Sequence, residues 1–326
     1  MNLRIGRGGP LGTSAARNAS LPLVVLLAGA VACGGSDGGT AAPVAERQTA
    51  PVSSEPVPGP ATTVPDTARR APTAVKPKVA PGVSARWVVY DRTTKKVVTR
   101  RAANATVRSA SVVKLFIALD YLQRRGGKVA PADAARFRAM LRSSDDKAAT
   151  HFWNLGGKGA IIKRTRKRIG LTDTAPPPAS QPGFWGYTAI SAMDVAKTYR
   201  HLLEKAPPRA RSVIMGHLRK ATKCGTDGFD QSFGLPRAAK KAGAVKQGWS
   251  GFGLTPPYPC TNGARFVPAA APDLGLGRPV LHTTGTVGGS DRWIVVVLTL
   301  NPAGASYRTS VDRITALTRS LTGSLS

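Results

Sequence analysis

Short β-rich runs lie near residue 90 and return only after residue 243, while apolar residues between them fall at helical spacing. RWVVYD (86–91) and KKVVTRR (95–101) flank a polar turn and predict a hairpin. The stretch SASVVKLFIALDYL (109–122) predicts a helix that is apolar nearly all round, hence buried. A mostly helical middle follows from about residue 131 to 220, including SAMDVAKTYRHLLEK, where Ser191 and Asp194 form a capping-box-like start. GAVKQGWSG (243–251), RPVLHTTGTVGG (278–289) and RWIVVVLTLNP (292–302) read as strands, and SVDRITALTRSL (310–321) as a closing helix. The layout is α+β: one antiparallel sheet of about five strands built from both chain ends, with an all-helical lobe inserted between them. No internal repeat is present.

The buried helix contains one misplaced residue. Lys114 is surrounded by Val112, Val113, Leu115, Phe116, Ile117 and Leu119, and lies in a first helical turn, where the dipole disfavours an ammonium. Burial and dipole together favour the neutral amine, a candidate general base. Ser111, one turn earlier, stands on the same face, so nucleophile and base fall within reach of each other. A lone S-x-x-K is weak, and Ser144 to Lys147 supplies a second.

The N-terminal quarter follows other rules. Arg4, Arg7 and Arg17 precede the apolar run 21–32, which is too short to span a bilayer and reads as the h-region of a signal peptide. Ala30 and Ala32 before Cys33, then GGSDGG, resemble a bacterial lipoprotein signal (1–33) in which Cys33 is lipidated; a plain secretory signal is the other reading. Residues 34–82, rich in Pro, Ala and Thr, cannot offset the entropy of folding and read as a tether. The domain is then 83–326. With Cys33 committed to lipid, Cys224 and Cys260 are the pair left outside the cytoplasm, which predicts a disulfide across the strand of Lys246.

The formal charge of +30 over 326 residues favours anionic surroundings such as cell-wall polymers or lipid head groups. An exported chain with 6% aromatic residues and no recognisable binding motif argues against nucleic acid. His151, His201, His217 and His282 show no metal-ligand spacing, so neither metal nor other cofactor is expected. The literal G-x-S-x-G at 34–38 lies in the tether with no strand before it and is not a nucleophile elbow.

Three signals occur in order: S-V-V-K at 111–114, S-D-D at 144–146 and K-Q-G at 246–248. In this order the chain resembles the class A β-lactamases and penicillin-binding proteins, whose set is S-x-x-K, S-D-N and K-T-G. The resemblance covers the domain from Arg86 to about Leu321 and implies the β-lactamase/transpeptidase-like fold. It implies Ser111 as the acylated nucleophile, Lys114 as its activator, Ser144 as a proton relay to the leaving nitrogen, and Lys246 as the source of positive potential for a substrate carboxylate. The backbone N–H groups of Ser111 and Trp249 would form an oxyanion hole, and Gly248 would let substrate approach the strand edge. A β-lactam or a peptidoglycan-type peptide is the implied substrate.

Three positions depart from that set. Asp146 replaces an Asn, an amide donor exchanged for an acceptor, and Gln247 replaces a Thr or Ser while keeping a donor for a carboxylate. The third departure is larger. The segment 171–190, which in class A β-lactamases carries the Glu that activates the deacylating water, holds only Asp173 as a carboxylate, and Glu204 is the domain's single Glu. Slow deacylation is therefore expected. A non-catalytic lipoprotein that binds cell-wall peptide or a partner on the same fold is the alternative, and a merely basic anchor explains the charge but not three ordered motifs.

Overall fold

The computed structural model describes residues 77–256, 259–260 and 278–325. The expected signal run with Cys33, the G-x-S-x-G stretch and the expected tether as far as residue 76 lie outside these residues. Val79 and Val83 already pack against the core.

The chain opens with β1 (Ser84–Asp91) and β2 (Lys96–Arg101), the expected hairpin, followed by the short β3 (Val107–Arg108). The helical lobe comprises α1 (Lys114–Arg124), α2 (Ala134–Arg142), α3 (Asp146–Leu155) and α4 (Ala160–Ile169), then, after β4 (Ala189–Ile190), α5 (Ala192–Glu204) and α6 (Pro208–Leu218). A short α7 (Leu235–Ala238) leads into β5 (Ala242–Ser250), β6 (Val280–Val287), β7 (Trp293–Leu300) and the closing α8 (Tyr307–Thr322). The five-stranded sheet is antiparallel throughout in the order β2-β1-β7-β6-β5, so the two chain ends meet at the β1–β7 ladder. The small β3–β4 ladder, too short for periodicity to reveal, ties the entry of α1 to that of α5.

Alternation along the strands explains the layers. Val88, Tyr90, Ile294, Val296 and Leu298 face the helical lobe, while Trp87, Val89, Val295 and Val297 face α8 through Val311, Ile314, Leu317 and Leu321. A strand covered on both faces reads as a continuous apolar run, which is why WIVVVLTL shows no alternation. At the open edge, β2 is largely exposed and guarded by Lys96, Arg100 and Arg101. Helix α1 is buried from Lys114 to Leu122, and its one buried carboxylate, Asp120, is held by Arg164 at 2.7 Å and Arg124 at 3.0 Å. Ser191 caps α5 by accepting from the Asp194 N–H at 3.0 Å, as its sequence predicted.

Cys224 and Cys260 form the expected disulfide, across 36 residues that include β5. Closing a loop of that length stabilises the fold by roughly 3–4 kcal/mol in the chain-entropy account. Among the described residues no helix is long and apolar enough to cross a membrane.

Candidate active site

The nucleophile does not begin an α-helix. Residues Ala110–Val113 form a 3₁₀ turn, and α1 starts only at Lys114. Ala110, just before Ser111, is held at φ +43°, and Ser144 at φ +58°, two non-glycine residues in the strained left-handed region. Both strained positions adjoin or carry a candidate catalytic hydroxyl. The tighter turn still sets Ser111 beside Lys114, whose Nζ lies 2.8 Å from Ser111 Oγ.

Lys114 is fully buried, as the apolar pattern required, but its surroundings are not apolar. Its Nζ donates to Asp146 Oδ1 at 2.6 Å and to the Ser144 carbonyl at 2.5 Å, with Ser144 Oγ at 3.3 Å. The Trp185 ring centroid stands 4.7 Å away. A carboxylate, a carbonyl and an aromatic face all suit an ammonium. The Asp146 carboxylate supplies Lys114 with a partner that the helical pattern did not reveal.

Lys246 approaches the same hydroxyl from β5. Its Nζ, 1% exposed at residue level, donates to Ser144 Oγ at 2.8 Å and to the Gln247 carbonyl at 3.1 Å. Burial pushes its amine well below the ordinary lysine range, and the nearby Lys114 charge pushes the same way, against Asp146 and Asp227. Two ammonium groups facing one hydroxyl are mutually unfavourable. Burial thus works against the positive potential expected of Lys246, and Ser144 Oγ bridges the two amines.

The strand residues depart from expectation as well. Gln247 is buried and turned to the other face of β5, where Nε2 donates to the carbonyls of Gln231 and Phe233, so it does not offer the expected donor to a substrate carboxylate. A Cβ at Gly248 would lie 3.1 Å from the Ser109 carbonyl and 3.0 Å from Val112 Cγ2. This glycine lets the nucleophile turn dock against β5. Trp249 donates its indole N–H to Asp227 Oδ2 at 2.8 Å.

Asp227 was not among the residues singled out from sequence; an Asp-Gly pair in a loop reads only as a turn. Its loop is tied down by the disulfide and by Thr226 N–H to the Ser143 carbonyl at 2.9 Å, beside Ser144. Burial raises the Asp227 carboxyl to about 6, with the Asp146 charge adding, against hydrogen bonds from Phe229 and Trp249 and the Lys114 charge. Between its ordinary 3.8 and about 6, the folded state keeps a proton that the unfolded chain has released. This group therefore makes stability fall as pH rises through that window. Tryptophan fluorescence is expected to change with a midpoint near pH 6, and Asp227→Asn, whose amide oxygen still accepts from Trp249, to lose that step; an unchanged titration in the variant would refute the assignment.

Asp173 has its oxygens engaged. Oδ2 accepts from Asn104 Nδ2 and Ser191 Oγ, both at 2.8 Å, and Oδ1 from Thr172 Oγ1 at 3.1 Å. Burial raises its carboxyl, but these bonds and Lys197 outweigh it and hold the carboxyl below its ordinary value. That is a loop tie rather than a base. The same 171–190 segment instead presents Trp185 to Lys114, with its indole N–H on Thr150 Oγ1 at 3.1 Å. An aromatic residue in a proline-rich polar loop was the available sequence signal. No group of three metal-ligating side chains occurs among the described residues. His282 is buried, lowered by that burial to about 4, and bonded to the Arg108 carbonyl at 2.9 Å, a structural histidine.

No protein-family model matches the chain. LppW of Mycobacterium tuberculosis and of Mycobacterium bovis, proteins provisionally named lipoproteins, are 34% identical to it over 232 residues, 69% of this chain. The chain spans 65% of the length of these curated relatives. Among solved structures, PBP-A superposes with a TM-score of 0.54 at 14% identity, covering 75% of this chain and 90% of that one. A PBP-A mutant solved as an acyl-enzyme complex with penicillin G gives 0.55 at 13% identity, covering 74% and 90%. A class A β-lactamase from Mycobacterium abscessus gives 0.53 at 16% identity, covering 74% and 93%. With the five-stranded antiparallel sheet and the helical lobe between its halves, the chain has the β-lactamase/transpeptidase-like fold of the class A β-lactamases and PBP-A.

Proposed function

We propose that the protein is an extracytoplasmic serine acyl-transfer enzyme that forms an acyl-enzyme on Ser111 with a β-lactam or a cell-wall peptide and deacylates it slowly. The observation that carries this reading is the chain of contacts from Ser111 Oγ to Lys114 Nζ at 2.8 Å, to Ser144 Oγ at 3.3 Å, and to Lys246 Nζ at 2.8 Å.

In the cycle, the Lys114 ammonium passes a proton to the Ser144 hydroxyl, which gives its own to the Lys246 amine. Lys114, now neutral, takes the Ser111 proton as Oγ bonds to the carbonyl carbon. The backbone N–H groups of Ser111 and Trp249 meet the oxyanion. As the carbon–nitrogen bond breaks, Ser144 protonates the leaving nitrogen and is reprotonated from Lys246. The two lysines end in their starting states.

Anchoring through a lipidated Cys33, with residues 34–82 as tether, fits the lipoprotein name of the relatives and belongs to the same proposal. The basic surface suits anionic cell-wall polymers as surroundings. A non-catalytic peptide-binding role is favoured by one observation, the Lys114–Asp146 ion pair at 2.6 Å, which occupies the activating amine. Intact mass after incubation with penicillin G separates the two readings. One adduct, absent in Ser111→Ala, is expected for the enzyme; no adduct, or one that persists and maps to Ser144, would overturn the assignment.

A further inference from the structure

Among the described residues, the two carboxyl groups beside the site, Asp146 and Asp227, share a single cationic contact, in a chain with 47 Lys and Arg against 17 Asp and Glu. Among the described residues that contact is Lys114 Nζ to Asp146 Oδ1. Lys246 touches only neutral oxygens, those of Ser144 and Gln247. Asp227 accepts only from neutral donors, the Trp249 indole and the Phe229 backbone N–H at 3.2 Å. Gln247, the expected partner of a substrate carboxylate, is committed to backbone carbonyls on the far face of β5.

Asp146 is also the open member of its pair. Its side chain is 45% exposed while that of Lys114 is fully buried, and only Oδ1 is engaged by a side chain. It sits in the first turn of α3, immediately after Ser144 and the capping residue Asp145, so its position is fixed by the same segment that delivers the relay hydroxyl. An amide at this position would donate as well as accept; an ionised carboxylate only accepts, and accepts best from a cation.

We infer that Asp146 determines specificity for an acyl donor that carries a cationic amine, which docks on the outward carboxylate oxygen while Lys114 holds the inner one. The inference rests on the acyl-transfer reading of the site and adds the substrate class: an ammonium-bearing peptide or β-lactam, in place of recognition through a free carboxylate alone. Docking a second cation on Asp146 weakens its hold on the Lys114 ammonium. That eases the proton transfer from Lys114 through Ser144 to Lys246, so the same contact that selects the substrate promotes acylation.

Ampicillin and penicillin G share their reactive ring and carboxylate and differ by a side-chain amine. At about pH 6.5, below the ordinary range for an amine, ampicillin carries the added positive charge. The second-order rate of Ser111 acylation, read by intact mass, is expected to favour ampicillin by about two- to fivefold, the scale of a partly exposed ion pair. Asp146→Asn is expected to abolish the preference. Equal rates in the unaltered protein, or a preference that survives Asp146→Asn, would overturn the inference. If neither compound labels Ser111, the acyl-transfer reading fails separately. The preference is then read as dissociation constants of the two compounds from Ser111→Ala by calorimetry, and equal affinities there would overturn it.

Discussion

Methionine in place of Lys246 is expected to slow acylation of Ser111 by penicillin G by about a hundred- to ten-thousand-fold, the usual worth of a positioned acid–base group, while the domain loses little stability. The amine is buried against Ser144 Oγ and has no direct carboxylate partner among the described residues, which suits the terminal acceptor of the proposed relay. Methionine keeps the apolar stem and removes a buried polar amine. Linkage fixes the sign of the pH dependence. Because burial lowers the Lys246 amine in the folded state, the unfolded chain binds more protons between that lowered value and the ordinary 10.5. Stability of the unaltered protein relative to Lys246→Met must therefore rise with pH through that window. Urea unfolding of both proteins across the neutral to alkaline range checks this. A difference that falls with pH, or full acylation in the variant, would contradict the role given to Lys246.

Reaction with penicillin G is expected to stop after one equivalent. The segment 171–190 brings no Glu to the site, its only carboxylate is tied to Asn104, Ser191 and Thr172, and the side chain it does bring to Lys114 is the Trp185 indole. Without a base for water, hydrolysis of the ester should lag a base-assisted site by a factor of about a hundred to ten thousand. Product release measured after mixing should show a stoichiometric burst and a nearly flat continuation. Asp173→Asn should leave both phases within about twofold and cost about 1 kcal/mol of stability through its weakened hydrogen bonds. Rapid multiple turnover that persists in Asp173→Asn would mean that another group activates water.

Much of this molecule is legible in local sequence. The sheet assembled from both ends follows from strands placed before residue 102 and after 241, and the buried α1 from apolar residues on every side of its axis. The disulfide followed from elimination among three cysteines. Ser111 and Lys114, three residues apart, meet even though a 3₁₀ turn replaces the expected α-helical start, because both helices bring residues at that spacing to one face.

What the sequence determined, then, is the set of groups and the order in which the chain presents them: strand ends, a serine and a lysine one turn apart, a second serine, a second lysine. Only the tertiary structure decided their partners and directions. Lys114 meets Asp146 across 32 residues, Lys246 meets Ser144 across 102, and the Trp249 indole meets Asp227 across 22. Protonation depends on burial and on charges a few ångströms away in space, and neither has a period along the chain. The lysine that the helix pattern made neutral is held by a carboxylate, and the lysine expected to be the cation is the one whose amine burial pushes below its ordinary range. Gln247, one residue further along β5, leaves the cleft altogether because successive side chains on a strand point to opposite faces.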